Sequence, residues 1–547
     1  MSSVGAVVVV VGVFLGLVVG VVSALSGMGW SVGWLVVSVG GGDAGGVLLE
    51  LGGRSFSMFV VVLVVFLTVI GFSGCYMSGM GGLGVFEWMV VGFVVGVEIL
   101  LVGSGLYSLL VGWEILGVVS FLLIGYYCSR SSWGGALFTL LVNRLGDVGV
   151  VLMFWLFLGS LLGVELGLEW VVAGVVFALT VSLTTKSAQV PFGSWLPLAM
   201  AAPTPVSALV HSSTLVIAGL YLGWFYSVYL SPVGGWLMIL GVATVMGAGL
   251  GAAGEMDFKK VVAFSTSMHL GLMVVIAVVV SWWFMGVHMG FHAFFKSLLF
   301  MGVGLGIMVM VHDQDFRGSV VGGAAGVVVG LVVVSSVWSL VGLVGFSGWV
   351  TKDGFLEHEL WGLQGWMVGL LVVVGLAGSS VYCLKMVMGV VGQSMGKGSV
   401  SMSWHLEEMV AVMGIMVVSV VGVVLGVGWS LWGDWGVSVG VCSGGEKLVY
   451  WLMFMFWLVL WCILGSIAGI GMVEGLESVL GGLIAGGGLS EGMWGYWMES
   501  VWVGGVVLSV VESVSGMGVN GAGGLVYLDW YFVVFVVLGG LSFVALM

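Results

Sequence analysis

The sequence predicts an all-α membrane protein of about fifteen transmembrane helices, because its apolar runs divide into stretches of roughly 20 residues, the length a hydrocarbon core demands. Only 7% of the residues are charged and the mean hydropathy is +1.28, so most of the chain must lie in lipid. No run carries the roughly ten-residue apolar/polar alternation of a membrane barrel, which sets strands aside.

In chain order the spans fall near residues 5–26, 56–75, 86–104, 105–127, 137–163, 170–191, 203–229, 233–254, 259–281, 284–311, 319–350, 363–391, 406–429, 448–472 and 525–546. The first run, opening MSSVGAVVVV, has neither a basic n-region nor an Arg-rich amphipathic segment, so it is expected as a retained helix. Two central spans look interrupted. Lys186 lies five residues before Pro191, and Lys352 follows Gly345, Ser347 and Gly348; Pro removes a backbone donor and Gly weakens a helix. Broken membrane helices are tolerated where the freed backbone lines a polar cavity. After residue 473 the pattern changes. Glu474, Glu477, Glu491, Glu499 and Glu512 stand among Trp and Val, as in an interfacial amphipathic helix or, alternatively, a loop.

Several function classes fall away. The net charge of -13 is spread over short loops and offers no basic surface for nucleic acid. The five cysteines form no C-x-x-C pair and no Cys/His cluster, which argues against disulfide, zinc and iron-sulfur sites. There is no phosphate-binding G-x-x-x-x-G-K-[ST], and so no support for an ATP-driven pump. Gly, Val, Trp, Phe, Leu and Met abound while Pro numbers five, a pattern of G- and T-rich codons expected from strand-biased mutation in a small organelle genome. Much of the glycine is then drift, which close helix packing in lipid tolerates.

The chemistry sits in ionisable residues within apolar runs: Glu114, Lys186, His211 and Lys352. A charge near the bilayer centre costs at least about 2.5 kcal/mol on insertion scales, so such residues usually line a polar path. A Glu and a Lys on adjacent helices make a pair whose proton affinity changes on separation. His211 follows Lys186 on the next span, and imidazole passes protons near neutral pH. In VHMGFHAFFKSLLF, His288, His292 and Lys296 recur at i, i+4 and i+8, on one helix face within about 12 Å of rise. The simpler readings elsewhere are structural: snorkelling for Lys259 and Lys260, packing for His269, and a local ion pair for Arg144 with Asp147.

The runs LVGWEILGVVSFLLIGYY, NRLGDVG, KSAQVPFGSWLPLAMAAPTPVSALVHSSTLVIAGLY, DFKKVVAFSTSMHLGLM, HAFFKSLLFMGVG and GFSGWVTKDGFLE together resemble the antiporter-like membrane subunits of respiratory complex I, over about residues 45–390. KSAQ, ALVHSST and HAFFK set the chain apart from the chain 2 and chain 4 types of that family. The resemblance implies Glu114 and Lys186 as a coupling ion pair, His211 and Lys296 as central relay groups with His288 and His292, and Lys352 with Asp353 as the terminal proton site. It also implies two inverted five-helix repeats with broken helices, a lateral amphipathic helix and a terminal anchor. The chain then divides into an N-terminal helix and loop (1–55), an antiporter-like core (56–390), additional spans (391–473), the lateral segment (474–524) and the anchor (525–547).

The implied function is proton translocation in the mitochondrial inner membrane with no cofactor in this chain. FMN, iron-sulfur clusters and ubiquinone are expected in partner subunits, and the partners are lipids and other membrane-arm subunits, above all the chain 4 type. A multisubunit sodium/proton antiporter, which shares KSAQ and PTPVSAL, and a non-pumping strut are the alternatives. The chain departs from the family's PFHxWLPDAMEGPTP at Gly193, Leu198 and Ala201, which replace His, Asp and Glu and remove polar groups from that loop. The first family helix is expected to be missing.

Overall fold

The computed structural model describes residues 53–77, 83–103, 105–161, 168–309, 314, 323–342, 346–348, 351–352, 354–355 and 378–387. These are almost wholly helical. The described residues contain nine helices long and apolar enough to cross a membrane, and each matches one of the nine spans expected between residues 56 and 311. The expected spans 5–26, 406–429, 448–472 and 525–546, the lateral segment 474–524 and most of 363–391 lie outside the described residues.

The elements are α1 (Gly53–Tyr76), α2 (Leu83–Val102), α3 (Leu106–Ile124), α4 (Arg130–Leu161), α5 (Leu168–Lys186), the single turn α6 (Trp195–Leu198), α7 (Thr204–Leu209), α8 (Leu215–Phe225), α9 (Ser227–Leu230), α10 (Gly234–Gly254), α11 (Phe258–Val279), α12 (Trp282–Val309) and α13 (Gly323–Val341). Many of these helices are rich in Val, a modest helix former in water. In lipid every backbone donor and acceptor must be satisfied within the segment, so the helix is retained regardless of propensity.

Successive spans pack as neighbours, α2 on α3, α4 on α5, α10 on α11 and α12 on α13. Small residues let them approach. A methyl at Gly149 on α4 would lie 2.4 Å from Ser182 Oγ and 2.6 Å from the Ala178 carbonyl oxygen, so this glycine is required by the crossing with α5. Gly84, by contrast, would meet nothing within 4 Å. The bundle is organised around the continuous span formed by α7 and α8, which is buried as far as Trp224 and packs against α1, α5, α11 and α12.

Both expected interruptions are present. α5 stops at Lys186 itself, five residues earlier than the span drawn to 191. The chain then turns through Ala188, a non-glycine residue at φ 50°, with Gln189 N–H donating to the Thr184 carbonyl at 2.9 Å. α13 stops at Val341, and Gly342 at φ 85° supplies the left-handed residue that ends it, its N–H bonded to the Trp338 carbonyl at 3.0 Å.

A third irregularity was not expected. Between α7 and α8, residues Val210–Thr214 wind as a π-helix. The hydroxyls of this stretch take up main-chain acceptors. Ser213 Oγ donates to the Leu209 carbonyl at 2.9 Å, Thr214 Oγ1 to the same oxygen at 2.7 Å, and Ser212 Oγ to the Ala208 carbonyl. Such wide turns are uncommon and gather at functional positions.

Candidate functional site

The ionisable groups singled out in the sequence lie on elements around the α7–α8 span: α5, α11 and α12 pack on it directly, α4 packs on α5, and α3 on α4. At one end, α3 carries Trp113 and Glu114, α4 carries Arg144 and Asp147, and α5 ends in Lys186. The Glu114 carboxylate accepts from the Arg144 guanidinium at 2.5 Å, and Arg144 also reaches Asp147 at 3.3 Å. Asp147, 4% exposed, accepts from the Trp113 indole N–H at 2.7 Å. Lys186 is fully buried. Its ammonium lies 4.0 Å from the centre of the Trp113 ring and donates to the Trp113 carbonyl at 3.1 Å.

Glu114 and Lys186 therefore occupy one site without the direct ion pair that was expected. The reason is competition: Arg144 offers Glu114 a planar donor at hydrogen-bonding distance, and Lys186 is satisfied by an aromatic face and a carbonyl. Both carboxylates still act on Lys186 electrostatically. The local pair of Arg144 with Asp147 is present, and extends to Glu114.

Beyond Lys186 lie aromatic rings and imidazoles. Trp195 donates its indole N–H to the Thr185 carbonyl at 3.0 Å, and its ring centre is 6.0 Å from that of His211. His211 sits in the π-helical turn, fully buried, and among the described residues neither ring nitrogen has a hydrogen-bond partner. An unpaired group buried this deeply costs about 1–3 kcal/mol. The neighbouring Ser212 main chain lies against His292 on α12.

His292, His288 and Lys296 share α12, all fully buried, and face α11. There His269 joins them. Its ring centre is 5.5 Å from His292, and its Nδ1 lies 3.3 Å from His288 Nε2, with those two rings nearly parallel at 13°. His288 Nδ1 is in turn 2.7 Å from Thr351 Oγ1, beside Lys352. Lys296 donates to Ser265 Oγ on α11 at 2.5 Å. The Lys352 ammonium meets the Leu340 carbonyl at 2.5 Å, at the end of α13 where a cation complements the last carbonyls. Asp353 lies outside the described residues.

One residue was misread, and two more join the site through contacts the sequence does not show. Trp113 and His269 carry no sequence signal beyond being an aromatic and an isolated imidazole in apolar spans; their partners come from other helices. Lys259 does not snorkel. It is 3% exposed and donates to the Ala202 carbonyl at 3.3 Å, whereas Lys260 is the exposed member, paired with Asp257 at 2.9 Å. In the altered loop, Leu198 is exposed to 43%.

Comparison with known proteins places this arrangement in a family. Residues 104–379, which include every described site residue, match the family described as NADH:quinone oxidoreductase/Mrp antiporter, TM. The chain belongs to that family of antiporter-like membrane proteins. Curated relatives bear the name NADH-ubiquinone oxidoreductase chain 5. That of Aedes aegypti is 40% identical over 273 residues, 48% of this chain and 46% of the relative. That of Anopheles arabiensis is 39% identical over 280 residues, 48% of this chain and 69% of the relative, and that of Lumbricus terrestris is 35% identical over 371 residues, 66% and 63%. For several of the insect relatives the chain spans about half of their length. The fold is also that of a solved Mrp complex from Dietzia sp. DQ12-45-1b, with TM-score 0.68 and 22% identity over 98% of this chain and 60% of that one. A membrane-bound sulfane sulfur reductase, an archaeal respiratory membrane complex, matches with TM-score 0.63 and 16% identity over 79% and 93%.

Proposed function

We propose that the chain is a proton-translocating membrane subunit of respiratory complex I in the mitochondrial inner membrane, driven by NADH:ubiquinone chemistry in other subunits. The observation that carries this reading is the line of ionisable side chains that runs from the half-buried Glu114 through the fully buried Lys186, His211 and the His269–His288–His292 cluster to the buried Lys352, inside an apolar bundle. Relatives named for that enzyme support it. Under this reading FMN, iron-sulfur clusters and ubiquinone belong to partner subunits, and the neighbour is an antiporter-like subunit of the chain 4 type. The full chain has about fifteen helices in two inverted five-helix repeats, for which the interrupted helices at Lys186 and Gly342 are the support.

Each residue has a task that its chemistry permits. Glu114 exchanges between two cations, Arg144 and Lys186, so a change in its charge redistributes both. Lys186 holds a proton against an aromatic face and hands it toward His211 when that seat loosens. His211 and the three-imidazole cluster pass protons between two ring nitrogens each, His288 delivering toward Thr351 and Lys352. Lys296 stores a proton on the same face of α12.

The test is proton uptake per NADH oxidised by the complex in proteoliposomes. Lys186→Met should lower that ratio while the chain assembles, and Glu114→Gln should do so more mildly. A wild-type ratio in Lys186→Met would remove the site from the coupling path. Proton uptake that requires sodium would replace this reading with that of an Mrp-type antiporter, which the same fold accommodates.

A further inference from the structure

Trp113 stands between Lys186 and Asp147 at the Glu114 end of the site. It is 1% exposed and precedes Glu114 on α3. Three polar contacts converge on it from two other helices: the Lys186 ammonium over its ring at 4.0 Å, the same ammonium on its carbonyl at 3.1 Å, and its indole N–H on Asp147 at 2.7 Å. The first two hold Lys186. The third fixes the plane of the ring, because the indole has one donor and it is committed to a buried carboxylate. Asp147 is itself tied by Arg144 to Glu114. Lys186 and Asp147 thus meet through one indole, and Asp147 links it to the Arg144–Glu114 pair.

We propose that Trp113 is a positioning residue for the coupling site: its face and carbonyl seat the Lys186 ammonium, and Asp147 clamps the ring, so that Glu114 stays with Arg144 until the seat is released. The inference rests on the proton-translocating reading and adds to it a holding element between the two charges. Without the ring Lys186 keeps only the carbonyl, and exchange with Glu114 loses its holding step. A desolvated cation–π contact is strong enough to bias two positions of a lysine by about 30-fold, so removing it changes which one prevails.

The experiment compares Trp113→Leu, Trp113→Phe, Asp147→Asn and Lys186→Met in the assembled complex, reading proton uptake per NADH oxidised and normalising to assembled enzyme. Trp113→Leu should lose coupling as Lys186→Met does. Trp113→Phe keeps an aromatic face under the ammonium but not the donor to Asp147, so it should recover part of the coupling that Trp113→Leu loses, and should do so even where the two variants melt alike, which separates the aromatic face from the volume it fills. Asp147→Asn keeps Trp113 and should fall between, and it carries the test if Trp113→Leu fails to assemble. The positioning role is overturned if Trp113→Leu, or in its absence Asp147→Asn, couples at the wild-type ratio while Lys186→Met does not, or if Trp113→Phe is as impaired as Trp113→Leu. If Lys186→Met itself couples normally, the functional reading fails first.

Discussion

Replacing Lys296 with Met should stop pumping and leave the protein at least as stable. Lys296 is fully buried on α12, its ammonium donating to Ser265 Oγ at 2.5 Å. Met is unbranched and of similar length, so no large cavity opens. Ser265 keeps its own bond to the Val262 carbonyl at 2.7 Å, so the lost hydrogen bond costs about 1 kcal/mol. Against that stands the cost of placing a lysine deep in a membrane helix, about 2.5–3.5 kcal/mol on insertion scales. The difference favours the variant by roughly 1.5–2.5 kcal/mol. Thermal inactivation of the purified complex, followed by the native-gel band and NADH oxidation, should show no earlier melting, while proteoliposomes should take up fewer protons per NADH. A variant that melts earlier than wild type would mean that Lys296 is a structural anchor. One that pumps at the wild-type ratio would mean that the charge is outside the path.

His292→Ala should impair pumping less than Lys296→Met, because water bridges a missing imidazole more readily than it replaces a fixed charge; the same proton-uptake assay ranks them. His269→Ala should be worse than His292→Ala, since His269 touches both imidazoles of α12, and equal pumping by the two would count against a cluster centred on it. Thr351→Val removes the 2.7 Å partner of His288 at nearly constant shape; a stability loss of about 1 kcal/mol with slower pumping is expected, and an unchanged rate would detach Lys352 from the cluster. Gly149→Ala should cost about 1–3 kcal/mol by overpacking the α4–α5 crossing, whereas Gly84→Ala, with nothing within 4 Å, should be neutral or slightly stabilising in the same melting assay.

What could be read from the sequence follows the range of the forces involved. Span number and order from residue 56 to 311 were legible because lipid imposes one length and one hydrogen-bonding solution on each run. Helix breaks at Lys186 and near Lys352 were legible because Pro and Gly act locally, although the glycine that ends α13 is Gly342. The π turn at His211 was not, since Val-His-Ser-Ser-Thr is an ordinary helical pentapeptide until its hydroxyls find carbonyls four or five residues back. Individual proton-bearing groups could be picked out by their cost in lipid, but their partners could not. Glu114 finds Arg144, 30 residues away, and His269 finds His288 only when α11 packs on α12. Glycine shows both sides: Gly84 fits compositional drift, while Gly149 is demanded by a crossing no single-helix pattern encodes.

Buried lysines here are repeatedly held by the main chain. Lys186 donates to the Trp113 carbonyl, Lys259 to that of Ala202, Lys352 to that of Leu340, and Lys385 to those of Ala253 and Glu255. A carbonyl oxygen is the one acceptor that every amino acid supplies, so substitution of Ala202 or Leu340 leaves the ligand in place as long as the helix end stays where it is. In a chain so rich in Gly, Val and Trp, this makes the cation sites tolerant of side-chain substitution. The vulnerable positions are instead those that set helix ends, so turn geometry, more than side-chain identity, is what selection has to guard around each lysine.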